Sequence, residues 1–417
     1  MRCLRTPGMV FCVGAIGLIL WADAQAQPEA SRVSGCHSSD ALGVLTAGKL
    51  PALLGHPLGQ VRLLHYQDQH LSPITLQIDQ RDADGRYRLN DKPDPEQRGL
   101  LGPNDEIVFR LADRSMRRPP ASADAEHMAL SEIEVKDVAT GQTGWVYVGL
   151  SETPVPAPNG KQITYDPVTD SVETDRYRIG FSRQYPFIID SFHWPIAANG
   201  WSRNVLDTMK IRHQGKMFGL IPFRRTTKDY SSRLVRVKTG PLRIIRRTEN
   251  HVRILWKLKT PALYVDYVMM PDSFVMDTIV DIPFNIGLFL RDVETLTTVD
   301  WRNDPALPEL TVRSPDSASS LVINGQMSDE KSRFNTVKGT RLSVHSDYGS
   351  VSLHLDIPDD FPIQPWLYLN DRLDVQDRPE NQSGQFGNVG YRTTGWENID
   401  TEVHHLKFTS CLKAKSK

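Results

Sequence analysis

Tyr185, His193 and Arg203 are the side chains whose types and spacing best suit chemistry on a polymer. Elimination from an acidic sugar needs a base near the acidic proton and a cation to neutralise the sugar carboxylate. A histidine or tyrosinate can supply the first and an arginine the second. The three fall within 19 residues of chain, which makes them candidate catalytic positions for a polysaccharide lyase or hydrolase.

Aromatic side chains beside polar ones form a second set. Trp194, Trp201, Trp366 and Tyr368 lie near Asn199, Asn370, Asp371 and Arg372. Sugar rings stack on aromatic faces while polar neighbours bond their hydroxyls, so Trp194, Trp201, Trp366, Tyr368 and Arg372 are candidate glycan contacts. Aromatics make up 8% of the chain, which is no enrichment, so core packing is the competing reading for each.

Two acidic stretches raise structural calcium, the one cofactor indicated. Asp82-Ala83-Asp84-Gly85 and the run from Asp94 to Glu106, with Asp94 and Asp105 as candidate ligands, place carboxylates near a turn glycine. Closely spaced oxygen ligands around a sharp turn are the pattern calcium takes. The fit is partial, because Gln80 and Asp91 stand where the first ligand and a bidentate Glu belong, and Arg98 interrupts the second register. The competing reading is a hairpin with Asp84-Gly85 in a type I′ turn. His345 and His354 share a face of one hairpin, but a catalytic zinc needs a third protein ligand and none is indicated.

Several chemistries lose their usual support. The chain has no H-E-x-x-H, G-x-S-x-G, P-loop, dinucleotide glycine fingerprint or C-x-x-C. Formal net charge is −1, which gives no global reason to expect nucleic acid as a partner. Charge is nevertheless segregated. Residues 210–259 hold fifteen Lys or Arg against two acids, and residues 261–310 hold nine acids against two arginines. A block of one sign can recruit an anionic polymer. Consecutive strands that neighbour each other and pair their charges are the preferred account, with an anionic polymer the residual one.

The elements that must position these residues are strands. Val252, Ile254, Trp256 and Leu258 alternate with mostly polar residues, and so do Phe274 to Ile282 and Val293 to Trp301. Successive strand side chains point to opposite faces, so each run buries one face and wets the other. Further strands are expected at 61–66, 74–79, 86–89, 106–111, 132–138, 144–149, 232–238, 242–248, 263–270, 342–346, 351–357, 365–370 and 403–410. The fold class is therefore all-β.

Three prolines in Pro154-Val155-Pro156-Ala157-Pro158 interrupt the pattern and favour an extended spacer. The expected organisation is two β-sandwich domains. An immunoglobulin-like one spans 36–150, a Pro-rich linker spans 151–160, and a larger supersandwich-like one spans 161–411.

Residues 1–26 read as a signal peptide. Arg2 and Arg5 precede an apolar run from Met9 to Leu20, and Ala24-Gln25-Ala26 is a small-residue cleavage site. The apolar run is too short to span a bilayer, and no later run approaches that length, so no transmembrane segment is expected after cleavage. Cys36 and Cys411 then remain, and in an oxidising compartment a lone pair is most simply a disulfide.

The string Gln77-Ile78-Asp79, Arg81-Asp82, Gly85, Tyr87 and Asn104 to Phe109 resembles exported bacterial β-sandwich proteins of uncharacterised function. The resemblance covers the first domain only. It implies a shared module and supplies no catalytic residue. The combined expectation is a periplasmic or secreted, non-catalytic binding or assembly protein whose partner is a glycan or another anionic extracytoplasmic polymer. The alternative is a lyase or glycoside hydrolase acting on an acidic polysaccharide.

Overall fold

The computed structural model describes residues 29–32, 36, 41–89, 99–116, 130–137, 140–152, 162–196, 200–255, 258–281, 283, 285–375 and 382–415. The expected signal peptide, Asp94, and all of the 151–160 spacer beyond Glu152 lie outside them. The protein is all-β and comprises two β-sandwich domains; the one α-helix among the described residues is Asp329–Phe334.

The first sandwich is one ladder of eight strands folded on itself. Strands His70–Pro73, Val61–Gln67, Gln142–Leu150 and Ser131–Asp137 make one layer, and Leu42–Thr46, Glu106–Arg110 and Leu76–Asp79 the other. The strand Glu29–Arg32 joins them. Its Glu29 and Ala30 run parallel to 131–137, while its Ser31 and Arg32 run antiparallel to 42–46. Alternate residues of both layers, including Leu45, Leu63, Ile107, Phe109, Ile133 and Val148, fill the space between.

The second sandwich is larger. Its main sheet has ten strands and centres on Val403–Ala414, which lies between Ser273–Asp281 and Gly349–Asp356. Against it pack a five-stranded sheet (Ile221–Arg225, Leu206–Met217, Leu290–Trp301, Asn388–Thr394, Gln364–Asn370) and a four-stranded one (Ile189–His193, Arg178–Phe181, Ser171–Thr174, Ile163–Asp166). One cluster joins all three sheets through Ile179, Phe192, Met209, Tyr267, Val389 and Leu406.

The two sandwiches meet through a third cluster, in which Leu42, Tyr87 and Val108 pack on Leu242, Ile245 and Val268. Beside it lies a buried ionic knot. Arg243, fully buried, bonds Asp79 at 2.5 Å and also Glu106, and Lys238 reaches Asp79 at 2.6 Å. Gln77 completes it by accepting from the Leu242 and Arg243 amides and donating to Asp79. Gly240 is obligatory in this corner, because a Cβ there would collide with the Gln77 amide. Burial alone would raise the Asp79 and Glu106 carboxyls; the adjacent cations reverse this and hold both below their usual range. Cys36 and Cys411 form the expected disulfide, with Cα atoms 5.4 Å apart.

Two local expectations are corrected. Residues 86–89 form no strand and share only an isolated bridge between Arg81 and Tyr87. The turn at 82–85 has positive φ at Gly85 but not at Ala83 or Asp84, so it is a type I turn followed by a left-handed glycine, not type I′. The hairpin carrying His345 and His354 has the expected register, with Leu342 opposite Leu353 and Val344 opposite Val351.

Candidate functional site

The expected acidic loops are organised by their own backbone. Asp82 accepts from the Arg86 amide at 2.8 Å. Asp105 is buried and accepts from the Gly102 and Arg81 amides at 2.8 and 3.0 Å. Asp84 is exposed in the turn. Among the described residues, no group of three His, Cys, Asp or Glu side chains converges as a metal cage. The basic block at 210–259 is also largely consumed internally. Arg246 pairs with Asp170, Arg247 with Asp266, Arg233 with Glu249 and Arg253 with Asp229. Its acids come from both sandwiches, since Arg243 is held by Asp79 and Glu106.

The four-stranded sheet leaves one face open. Its register builds two polar rows across the strands: Thr164, Glu173, Arg178 and His193, then Asp166, Ser171, Gly180 and Ser191. Alternation makes this possible, because Ile163, Val172, Ile179 and Phe192 take the opposite, core face. The rows floor a groove of about 510 Å³. Gly180 keeps its centre low; a Cβ there would sit 2.6 Å from Ser191 Oγ. At one end Arg178 is bonded to Glu173 at 2.5 Å and lies 4.7 Å from the Trp201 ring centroid.

His193 and Trp201, proposed from sequence for different roles, thus meet around Arg178. The signal that connects them was the Arg178–His193 register, which needs strand 178–181 to be recognised. Other candidates disperse. His193 Nδ1 contacts the Ser202 carbonyl at 2.9 Å. Arg203 turns outward to Asp304 at 2.9 Å. Tyr185 packs against the main core. Trp194 is only 3% exposed and packs its ring at a tilt against Phe192, where it contributes to the core.

Trp366 and Tyr368 belong to a second polar face, the outer side of the five-stranded sheet. There the register aligns Lys210, Thr298, Gly390 and Tyr368 in one row and Arg212, Leu296, Arg392 and Trp366 in the next. Lys338 and Arg392 lie 5.1 and 5.3 Å from the Trp366 centroid. Arg392 also reaches Glu294 at 3.3 Å. Arg372 follows the edge strand and is held by Asp374 at 2.7 Å.

The deep end of this face is buried and acidic. Lys210 is ion-paired with Asp300, and both are almost fully buried. Burial, reinforced by the neighbouring Asp300 charge, pushes the Asp207 carboxyl up to about 7. The same acids staple a loop. Asp207 accepts from the Gln382 amide at 2.7 Å, Asp300 from Phe386 at 2.9 Å and Asp371 from Gly387 at 2.8 Å. Asp371 is further paired with Lys331 at 2.5 Å. Asp207 and Asp300 were missed from sequence because isolated aspartates in strand ends carry no motif.

No protein family and no curated protein matches the chain. Among solved structures, an alpha-mannosidase from Enterococcus faecalis V583 aligns at 10% identity and a TM-score of 0.44, over 93% of this chain and 42% of its own. A protein in the glycosyl hydrolase family 38 from Enterococcus faecalis aligns at 10% identity and a TM-score of 0.42, over 94% and 45%. The chain spans less than half the length of either. At these scores the likeness carries no functional weight.

Proposed function

We propose that the protein is exported to the periplasm or cell exterior and binds a glycan in the groove of the four-stranded sheet. The observation that carries this reading is the Arg178–Trp201 pair beside His193, at the end of an open polar floor. An aromatic ring can take the apolar face of a sugar, and serine, aspartate and arginine side chains bond hydroxyls. Asp166, Glu173 and Asp190 outnumber Arg178 in the groove lining, which favours a neutral glycan over an anionic one. Export is supported by the Cys36–Cys411 disulfide and by the signal-like N-terminus. No helix among the described residues is long and apolar enough to cross a membrane.

Titration calorimetry with a panel of neutral and acidic polysaccharides tests this. One neutral member should bind, and Trp201→Ala should weaken it about tenfold, roughly 1.4 kcal/mol. Unchanged binding by Trp201→Ala would remove the groove from the proposal.

A second reading, cleavage of an acidic polysaccharide, draws on Arg392, Trp366 and Tyr368 and on the buried Asp207 and Asp300 at the end of their face, and needs the loop that covers these two acids to open. A carboxyl poised near neutrality beside a second carboxylate is the arrangement acid–base chemistry uses. Release of reducing ends or unsaturated products, abolished by Asp300→Asn, is the expected outcome for that reading.

A further inference from the structure

A cavity of about 270 Å³ opens at one end of the larger sandwich, where strands of its five- and ten-stranded sheets terminate. Its lining comes mainly from the connection between Arg302 and Leu310, the hairpin turn between His345 and Gly349, and Phe386 of the stapled loop. It shares no lining residue with the groove of the four-stranded sheet.

The backbone fixes these walls. The Arg302 amide donates to the Val205 carbonyl and the Trp301 amide to the Phe386 carbonyl, both at 3.0 Å. Asp300 holds the Phe386 amide in turn. In the hairpin turn the Ser346 amide donates to the Gly349 carbonyl at 2.8 Å. Gly349 is needed there, because a Cβ would sit 2.5 Å from the Lys413 carbonyl oxygen and 3.0 Å from the Trp194 ring. A cavity already formed asks little ordering of its ligand.

The lining divides by chemistry. Trp194, Trp301, Ile323, Val344 and Val351 are buried and make an apolar floor. The rim is polar, and two of its side chains are idle: Asn303 and Glu309 are exposed and have no partner among the described residues. The Trp301 indole N–H also lacks an acceptor there. The charges nearly cancel. Arg302 and Glu309 oppose each other, Asp304 is committed to Arg203 outside the cavity, and Asp347 beside the rim is paired with Lys415. Burial, with the nearby Arg313 charge, lowers the His345 imidazole, so it is neutral at pH 7. An apolar cavity of about 150 Å³ is enough for one benzene ring. This one has room for a single six-membered ring with its substituents.

We infer that the cavity holds one neutral pyranose ring, with its C–H face on the tryptophan floor and its hydroxyls toward Asn303 and Glu309. A ring with one apolar face and a hydroxylated edge matches a lining divided in the same way. A free monosaccharide and the end of a glycan chain present the same ring. The inference does not rest on glycan binding in the groove.

Titration calorimetry of the full chain with glucose, galactose, mannose and N-acetylglucosamine tests this, with tryptophan emission followed in parallel. At least one of the four should bind saturably and shift the emission, because Trp194 and Trp301 floor the cavity. Asn303→Ala combined with Glu309→Ala should weaken that binding at least tenfold, while melting with the parent because both side chains are exposed. Binding of none of the four overturns the proposal, and so does equal binding by the double variant. Saturable binding of benzyl alcohol alone would overturn it in favour of an apolar-ring site. For a sugar that binds, a trisaccharide of it held tenfold more tightly assigns the cavity to chain ends, and equal affinity assigns it to the free sugar. The groove is judged separately, by Trp201→Ala.

Discussion

Arg243 and Arg178 make the same kind of bond to acidic side chains, and their surroundings give them opposite uses. Arg243 is sealed between the two sandwiches, where Asp79 and Glu106 must offset the full cost of removing its charge from water. Arg178 sits in an open groove with Glu173, where water screens the pair and the attraction is worth little. Buried ionic groups here set geometry, and exposed ones remain available to a ligand. A count of charges cannot separate the two; only the register and the packing partners do.

The comparison is tested most severely by Arg243→Ala. It leaves Asp79 with Lys238 alone and Glu106 with Arg81 alone, and removes a buried side chain between the sandwiches, so it should cost about 3 kcal/mol in chemical unfolding. A loss below 1 kcal/mol would mean that water enters the knot and that the domains meet loosely.

Asp207→Asn sharpens it at the acidic end of the five-stranded sheet. The native carboxyl titrates near 7 and the unfolded one near 3.9. Between these values the native state keeps a proton that the unfolded chain has lost, so parent stability falls as pH rises from about 4 to about 7. The asparagine variant lacks that fall. It should be more stable than the parent by about 1 kcal/mol above pH 7, after allowance for screening, and equal to it near pH 4. A parallel pair of melting-temperature curves would remove Asp207 as the titrating group.

Arg178→Ala should have the smallest effect on folding, under about 0.5 kcal/mol, while weakening glycan binding. A large loss of stability with intact binding would invert the comparison.

Much of the architecture could be read from alternation. The runs Phe274 to Ile282 and Val293 to Trp301 are both strands of the larger sandwich, Ser273–Asp281 and within Leu290–Trp301, although Ser273–Asp281 is buried on both faces because it lies at the centre of the ten-stranded sheet with the first sandwich packed on its other side. The short strands Ile163–Asp166, Ser171–Thr174 and Arg178–Phe181 escaped because four residues give only two turns of that repeat. Their loss hid the groove, since its rows exist only across strands. The Cys36–Cys411 pairing was legible by elimination. The partner of Arg243 was not, because Asp79 lies 164 residues away and no local pattern links them. The expected glycan contacts Trp194 and Trp201 show the same limit. They stand seven residues apart, yet one is core and the other borders the groove.

The disulfide joins distant parts of the chain. Cys36 and Cys411 are separated by 375 positions, and Cys411 reaches its partner from the central strand of the ten-stranded sheet. In the native fold that strand lies between Ser273–Asp281 and Gly349–Asp356, so the bond fastens the start of the first sandwich to the middle of the larger sheet. Reducing it would release the two ends from each other without removing a single strand pairing.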